Sequence, residues 1–196
     1  MKKMIKLIYK IFIFFVFFSI EANSKEVGIG SVNSKVTIKV FSSLTCPACA
    51  NFHSKIFYQI KEEFIDKGLV RFEHHPFPLD LAALNAEIIV RCHVDNTKKF
   101  VLLGRIYEKQ KLWAVGSDIN KINDSIKKIG LESNLNNKDM DNCLKDEKKQ
   151  DEILNQRIDA QKKYEIGSTP TILINEKKYK GKVEYSEFKK VLEKNL

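Results

Sequence analysis

Ser34-Lys35-Val36-Thr37-Ile38-Lys39-Val40-Phe41-Ser42-Ser43-Leu44-Thr45-Cys46-Pro47-Ala48-Cys49 is the stretch that decides the fold of this chain. In its first half Val36, Ile38 and Val40 alternate with polar residues, the period of a half-buried strand over residues 34–41. Pro47 sits where a first helical residue tolerates the loss of its N–H. Cys49, Phe52, His53, Ile56, Phe57, Ile60 and Phe64 then fall at helical spacing along one face, and Gly68 ends that helix. Residues 69–74 read as a second strand. A strand–helix–strand unit of this size implies parallel strands with a right-handed crossover. The two cysteines therefore stand at the carboxyl end of a strand and the amino end of a helix.

Beyond this unit the period changes. From Leu79 to about Ile166 apolar residues step by three or four: Leu81, Leu84, Ile88 and Cys92; Phe100, Leu103 and Tyr107; Ile119, Ile122, Ile126 and Ile129; then Met140, Cys143 and Leu144, and Ile153, Leu154 and Ile158. Strand character returns at Thr171 to Ile174, a turn at Asn175-Glu176-Lys177-Lys178 leads to a short strand around Tyr179, and Tyr185, Phe188, Val191 and Leu192 mark a last amphipathic helix. The order is strand–helix–strand, a helical block, then strand–strand–helix. Such alternation fits several α/β folds, and the position of the cysteines narrows them to a thioredoxin fold with an inserted helical domain. The expected division is residues 1–24 as a signal peptide and 25–196 as one domain, with core 25–78 and 167–196 and the insertion at 79–166.

The N-terminus reads as an address. Lys2, Lys3, Lys6 and Lys10 precede an apolar run from Ile11 to Ile20, and Ala22-Asn23-Ser24 offers small residues for cleavage after Ser24. The run is shorter than the about 20 residues a membrane span needs; an uncleaved anchor is the alternative. Export places the protein in a periplasm-like, oxidising compartment. The net charge of +9 is nearly all lysine interspersed with acids, and the only arginines are Arg71, Arg91, Arg105 and Arg157. With no basic and aromatic cluster, a nucleic-acid reader is not expected.

In such a compartment four cysteines suggest two disulfides, with three possible connectivities. Disulfide exchange needs an attacking thiolate and a second thiol within reach to release the mixed disulfide. Cys46 stands at the helix start, where unpaired N–H groups and the helix dipole favour negative charge. A thiol there titrates between roughly 3.5 and 7.5 instead of about 8.5. Cys49 lies one turn inside, as the resolving sulfur. The competing readings are half of a zinc site completed by Cys92, Cys143 or a histidine, and an inert structural disulfide. His53 reads as a core histidine, His74, His75 and His93 have no partners at metal spacing, and Trp113 reads as packing. No metal and no cofactor are expected. Gly167-Ser168-Thr169-Pro170-Thr171 opens a strand with a proline, a position suited to a cis peptide as well as to an ordinary trans turn. A cis Thr169–Pro170 bond would leave the Thr169 backbone free to pair with an extended peptide.

Phe41-Ser42-Ser43-Leu44-Thr45-Cys46-Pro47-Ala48-Cys49, the helical block and Thr169-Pro170 together resemble the DsbA-like thiol–disulfide oxidoreductases, over essentially the whole chain after residue 24. The resemblance implies Cys46 and Cys49 as the redox pair and Thr169 with Pro170 as the substrate-contact loop. It implies an oxidase that donates disulfides to reduced or unfolded exported proteins and is reoxidised by a quinone-linked membrane partner of DsbB type. A disulfide isomerase or reductase of the same fold is the rival; from another class, a metal-binding or structural exported domain. The short stretch between Lys25 and the first strand lacks the oligomerisation segment usual in isomerases of this fold, so a monomer is expected. Two departures matter. Ala48 stands where the best-known member has His, which implies a weaker oxidant, between thioredoxin at about −270 mV and DsbA at about −120 mV. Val40 stands six residues before Cys46, where thioredoxin-like proteins often hold a buried acid. Glu73 on the neighbouring strand is either its substitute as proton acceptor or a strand-edge surface residue. Cys92 and Cys143 are two buried free thiols or a second disulfide, and some relatives carry such a pair.

Overall fold

The computed structural model describes residues 26–196; the expected signal peptide at 1–24 lies outside the described residues. Five strands form one sheet, β1 (Val27–Ile29), β2 (Val36–Ser42), β3 (Val70–Pro76), β4 (Thr171–Ile174) and β5 (Lys177–Lys178), in the order β1-β3-β2-β4-β5. β2 and β3 are parallel, as the crossover requires, and β1, β4 and β5 each pair antiparallel with their neighbours. The edge strand β1 falls in a stretch read from sequence as a lead-in. Three residues are too few to show an alternation. Gly30 closes β1 at φ +95°, where a Cβ would lie 2.5 Å from the Val70 carbonyl oxygen. The hairpin strand β5 comes just before Tyr179, not around it.

Between β2 and β3 runs one helical stretch from Pro47: α1 (Pro47–Phe52), a π turn (His53–Phe57), α2 (Tyr58–Ile60) and a second π turn (Lys61–Ile65). The even helical spacing read from sequence did not foresee the π turns. Gly68, at φ +72°, terminates it, and the Leu69 N–H returns to the Phe64 carbonyl. Six helices follow β3: α3 (Leu81–Val90), α4 (Asn96–Glu108), α5 (Gln110–Trp113), α6 (Ile119–Leu131), α7 (Asn137–Leu144) and α8 (Glu147–Tyr164); α9 (Tyr185–Asn195) closes the chain. Asp80, Asp95, Asp118, Asn136 and Asp146 accept first-turn N–H groups and so fix the starts of α3, α4, α6, α7 and α8.

The alternation of β2 sorts the core. Val36, Ile38 and Val40 join Val70, Phe72, Ile172 and Ile174 beneath the helix that begins at Pro47, with Phe188 and Leu192 of α9. Phe41 and Leu173 face the other way, onto Phe77, Ala160 and Ile166. The first core continues without a break into the insertion through Phe100, Leu103, Ile106 and Trp113. The cysteine-bearing helix is therefore held between the sheet and α4, and its N-terminus cannot shift without disturbing both.

Candidate functional site

Cys46 caps the helix from an extended conformation, φ −76° and ψ 119°, and its carbonyl accepts from the N–H groups of Cys49 and Ala50 at 3.1 and 3.2 Å. Pro47 and Ala48 are exposed. Cys46 is 9 % exposed and Cys49 2 %, and both are free thiols. The Cys46 Sγ donates to the Thr169 carbonyl oxygen at 3.4 Å. The Thr169–Pro170 bond is cis, and both residues are half-buried. The structure thus gathers four of the sequence-derived candidates, Cys46, Cys49, Thr169 and Pro170, at one point.

The two sulfurs differ in what surrounds them. Burial opposes ionisation of Cys46, but the Thr169 side chain, the N–H groups of Cys49 and Ala48 and the Cys49 thiol outweigh it, and the Cys46 thiol titrates below an ordinary cysteine. Burial pushes the Cys49 thiol far up, and the neighbouring charge of Cys46 adds to this. Each unit lowered favours the thiolate by about 1.4 kcal/mol. The pair therefore has one thiol eased toward ionisation and one held back from it.

The approach loop is fastened from the insertion, by contacts that sequence reading missed. Gln110, buried in α5, donates from Nε2 to the carbonyls of Leu44 and Cys46 at 2.7 and 3.0 Å. Thr45 Oγ1 donates to Asp80 Oδ2 at 2.7 Å, while Asp80 Oδ1 caps α3. Ser43 Oγ accepts from the Leu79 N–H at 3.3 Å. A glutamine and an Asx cap carry no periodic signal; the place of Asp80 ahead of a helical run is the one feature that could have marked a cap.

Glu73 is not brought to the cysteines. It lies on the sheet face opposite the active helix, beside Arg71 Nε at 2.7 Å and His75 Nε2 at 3.2 Å. His75 and then Arg71 bring its carboxyl down to about 2. Strand alternation decides this: Phe72 faces the helix, so Glu73 cannot. Instead the adjacent His74, passed over in the sequence, points inward to Ser42 and Glu87. Cys92 and Cys143 are bonded to each other, their Cα atoms 6.0 Å apart. They join the segment just after α3 to α7. Among the described residues no group of three or more His, Cys, Asp or Glu is arranged to hold a metal ion.

The family model described as Thioredoxin matches residues 22–194. Disulfide bond formation protein D of Bacillus subtilis is 32 % identical over 177 residues, covering 86 % of this chain and 76 % of that protein. This chain belongs to the DsbA-like thiol–disulfide oxidoreductases of the thioredoxin family. A putative protein-disulfide oxidoreductase of Rickettsia bellii is 27 % identical, covering 83 % of this chain and 61 % of that longer protein. Among solved structures, that of Wolbachia pipientis alpha-DsbA1 superposes with a TM-score of 0.80 at 26 % identity, over 87 % of this chain and 90 % of that one. That superposition takes in the sheet and the inserted helices together, since it covers 87 % of this chain.

Proposed function

We propose that this DsbA-like protein is a dithiol oxidase that donates the Cys46–Cys49 disulfide to reduced exported proteins in the periplasm, after export on residues 1–24. The observation that carries the reading is the contrast between the two sulfurs: Cys46 favours its thiolate and touches the Thr169 loop, while Cys49 is buried beneath it. A thiol that favours the thiolate is a good leaving group, so a disulfide containing it is readily passed on. A client thiolate attacks Cys46 Sγ, the Cys46–Cys49 bond breaks and its electrons leave on Cys49. A second client thiolate then attacks the client sulfur, closing the client disulfide and releasing Cys46 as thiolate. The client segment lies as an added strand along the backbone at Thr169, with Pro170 beside it, which makes recognition tolerant of sequence. A quinone-linked membrane protein of DsbB type restores the disulfide.

Redox titration of the Cys46–Cys49 pair against glutathione tests the direction. A potential between about −270 and about −120 mV, with refolding of reduced but not scrambled substrate, supports the oxidase. A potential at the thioredoxin end with efficient unscrambling supports the isomerase or reductase. Stoichiometric zinc with a Cys46 that titrates like a free thiol would support the metal-binding rival.

A further inference from the structure

Alongside the active helix lies a cavity of about 440 Å³ that exchange at Cys46 leaves unused. It is bounded by β1, by the side of that helix and by one stripe of α4, where Asn96, Phe100 and Gly104 follow at intervals of four. Its volume falls among clefts that take small molecules, roughly 300–1,000 Å³. Ile29, Phe57, Tyr58, Phe100 and Val101 give it an apolar, largely aromatic wall. The active helix contributes His53 and Phe57, which bound its first π turn, and Lys61, which opens the second. Such turns inside α-helices are frequent at functional sites.

Gly104 stands in the middle of α4, where glycine weakens a helix. A Cβ there would meet His53 Cε1 at 3.4 Å, Tyr58 Oη at 3.8 Å and His53 Nε2 at 4.0 Å, so its absence opens a niche against the edge of the imidazole. His53 is 5 % exposed, and its Nε2 has no hydrogen-bond partner among the described residues. At the other end Asn96 donates from Nδ2 to the Gly28 carbonyl at 2.7 Å, which fixes the amide, and its buried Oδ1 has no partner among the described residues. Eight residues of α4 separate these ends, about 12 Å. Buried polar atoms without partners are costly, and a ligand that supplies the missing bonds relieves that cost. The cations of the wall are already engaged: Lys61 with Asp66 at 2.7 Å, Arg71 with Glu73 at 2.7 Å, and Arg105 with the Ser133 hydroxyl at 3.0 Å. Glu108 is exposed to solvent. The cavity therefore offers aromatic surface and unfilled hydrogen-bond sites, not charge. Burial, and then the charge of His74, bring His53 down to about 4, so near neutral pH its ring is uncharged and Nε2 either donates or accepts. A hydroxyl answers both cases, and it also donates to an amide oxygen. We propose that this cavity binds an uncharged, flat aromatic molecule carrying a hydroxyl, a phenol of one or two rings, with the ring among Phe57, Tyr58 and Phe100 and the hydroxyl at His53 Nε2. The site lies about two turns along the helix from Cys46, and its occupation consumes no thiol.

The test titrates 2-naphthol into the reduced protein, with naphthalene and 2-naphthoate as comparisons, by calorimetry and by amide NMR shifts. 2-Naphthol binds at one site, about tenfold more tightly than naphthalene, the effect of one net hydrogen bond. 2-Naphthoate binds more weakly than 2-naphthol, because its charge finds no free partner in the wall. The shifts concentrate at Phe57, Tyr58, Phe100 and Gly104. His53→Phe keeps the ring stack and brings 2-naphthol down to the affinity of naphthalene. Gly104→Leu fills the niche and abolishes binding. Val101 lines the cavity and is half exposed; Val101→Trp obstructs entry, weakens binding and carries the test if the buried variants do not fold. The inference is overturned by a wild type that does not bind 2-naphthol saturably, by a preference for 2-naphthoate, by shifts that map away from α4, or by variants that bind as the wild type does. None of these results bears on exchange at Cys46, which the glutathione titration reads separately.

Discussion

The Cys46 Sγ and the Thr169 carbonyl oxygen are 3.4 Å apart, although 123 positions separate the two residues. The contact follows from strand pairing. Phe41, near the end of β2, lies opposite Thr171 at the start of β4. The loop leaving one strand and the loop entering the other must then meet at the same sheet edge. The Cys46 sulfur is placed by β2 and the Thr169–Pro170 loop by β4, so their meeting is set by the pairing of the two strands.

Thr169 is the first place where this can be probed. Its carbonyl accepts from the Cys46 thiol, and its buried Oγ1 has no hydrogen-bond partner among the described residues, which leaves the hydroxyl to act on the ionised sulfur. Thr169→Val keeps the shape and removes the hydroxyl. The alkylation midpoint of Cys46 should rise by about one unit, slowing modification at neutral pH several-fold. An unmoved midpoint would assign the thiolate to the helix N–H groups alone.

Ala48 is the place to probe the potential of the cysteine pair. It is exposed between the two cysteines and brings no charge to them. In Ala48→His a protonated imidazole near Cys46 should lower its thiol further and make the pair more oxidising. One unit corresponds to about 1.4 kcal/mol, which for this two-electron couple is about 30 mV. Glutathione titration of both proteins reads the shift; a potential that falls or stays fixed contradicts the assignment.

Gln110 fastens the active loop to the insertion. Gln110→Leu leaves the carbonyls of Leu44 and Cys46 without this donor, in a place closed to water. The expected loss is about 1–3 kcal/mol in urea unfolding, with a Cys46 reactivity that becomes less sharply pH-dependent as the helix start loosens. Full retention of stability would mean that other donors reach those oxygens.

Much of the fold was legible because its signals are local and periodic. The alternation of Val36, Ile38 and Val40, the helical run after Pro47 and the strand at Thr171–Ile174 reappear as β2, the active helix and β4. What stayed hidden depends on partners far away in sequence. β1 is too short to have a period and exists because β3 offers an edge. Glu73 and His74 differ by one step, and only the pleat decides which turns inward, His74 toward Ser42 and Glu87. Neither Gln110 nor Glu87 announces itself, since a polar residue within an apolar helical pattern gains meaning only once its buried partner is known.

The Cys92–Cys143 bond spans a sequence separation of 51 residues. In the chain-entropy model closing such a loop stabilises the fold by about 4 kcal/mol. Replacing both with serine should lower the melting temperature by about 10 °C, leaving the Cys46–Cys49 pair intact to alkylation assays. A double variant that melts with the wild type would show that the helices of the insertion hold α3 and α7 together without the bond.

His53 gives the protein an acid-sensitive core. Its ring stacks on Phe57 at 4.7 Å and on Tyr107 at 5.0 Å, and its Nε2 is buried without a partner among the described residues. Burial, and then the charge of His74, bring it down to about 4. In an unfolded chain histidine titrates near about 6.5. Between those values the unfolded chain binds a proton that the folded one refuses, so stability rises with pH across that window and is lost as pH falls through it. The full effect is at most about 3 kcal/mol. His53→Phe keeps the ring stack and removes the titration; it should change stability at neutral pH by less than about 1.5 kcal/mol and flatten the dependence between about pH 6.5 and pH 4. Urea unfolding at several pH values measures both. If the slope persists in the variant, the sensitivity belongs to another group. Glu73 is not that group in this range: held at about 2, its contribution is lost only as pH falls below the ordinary carboxylate range.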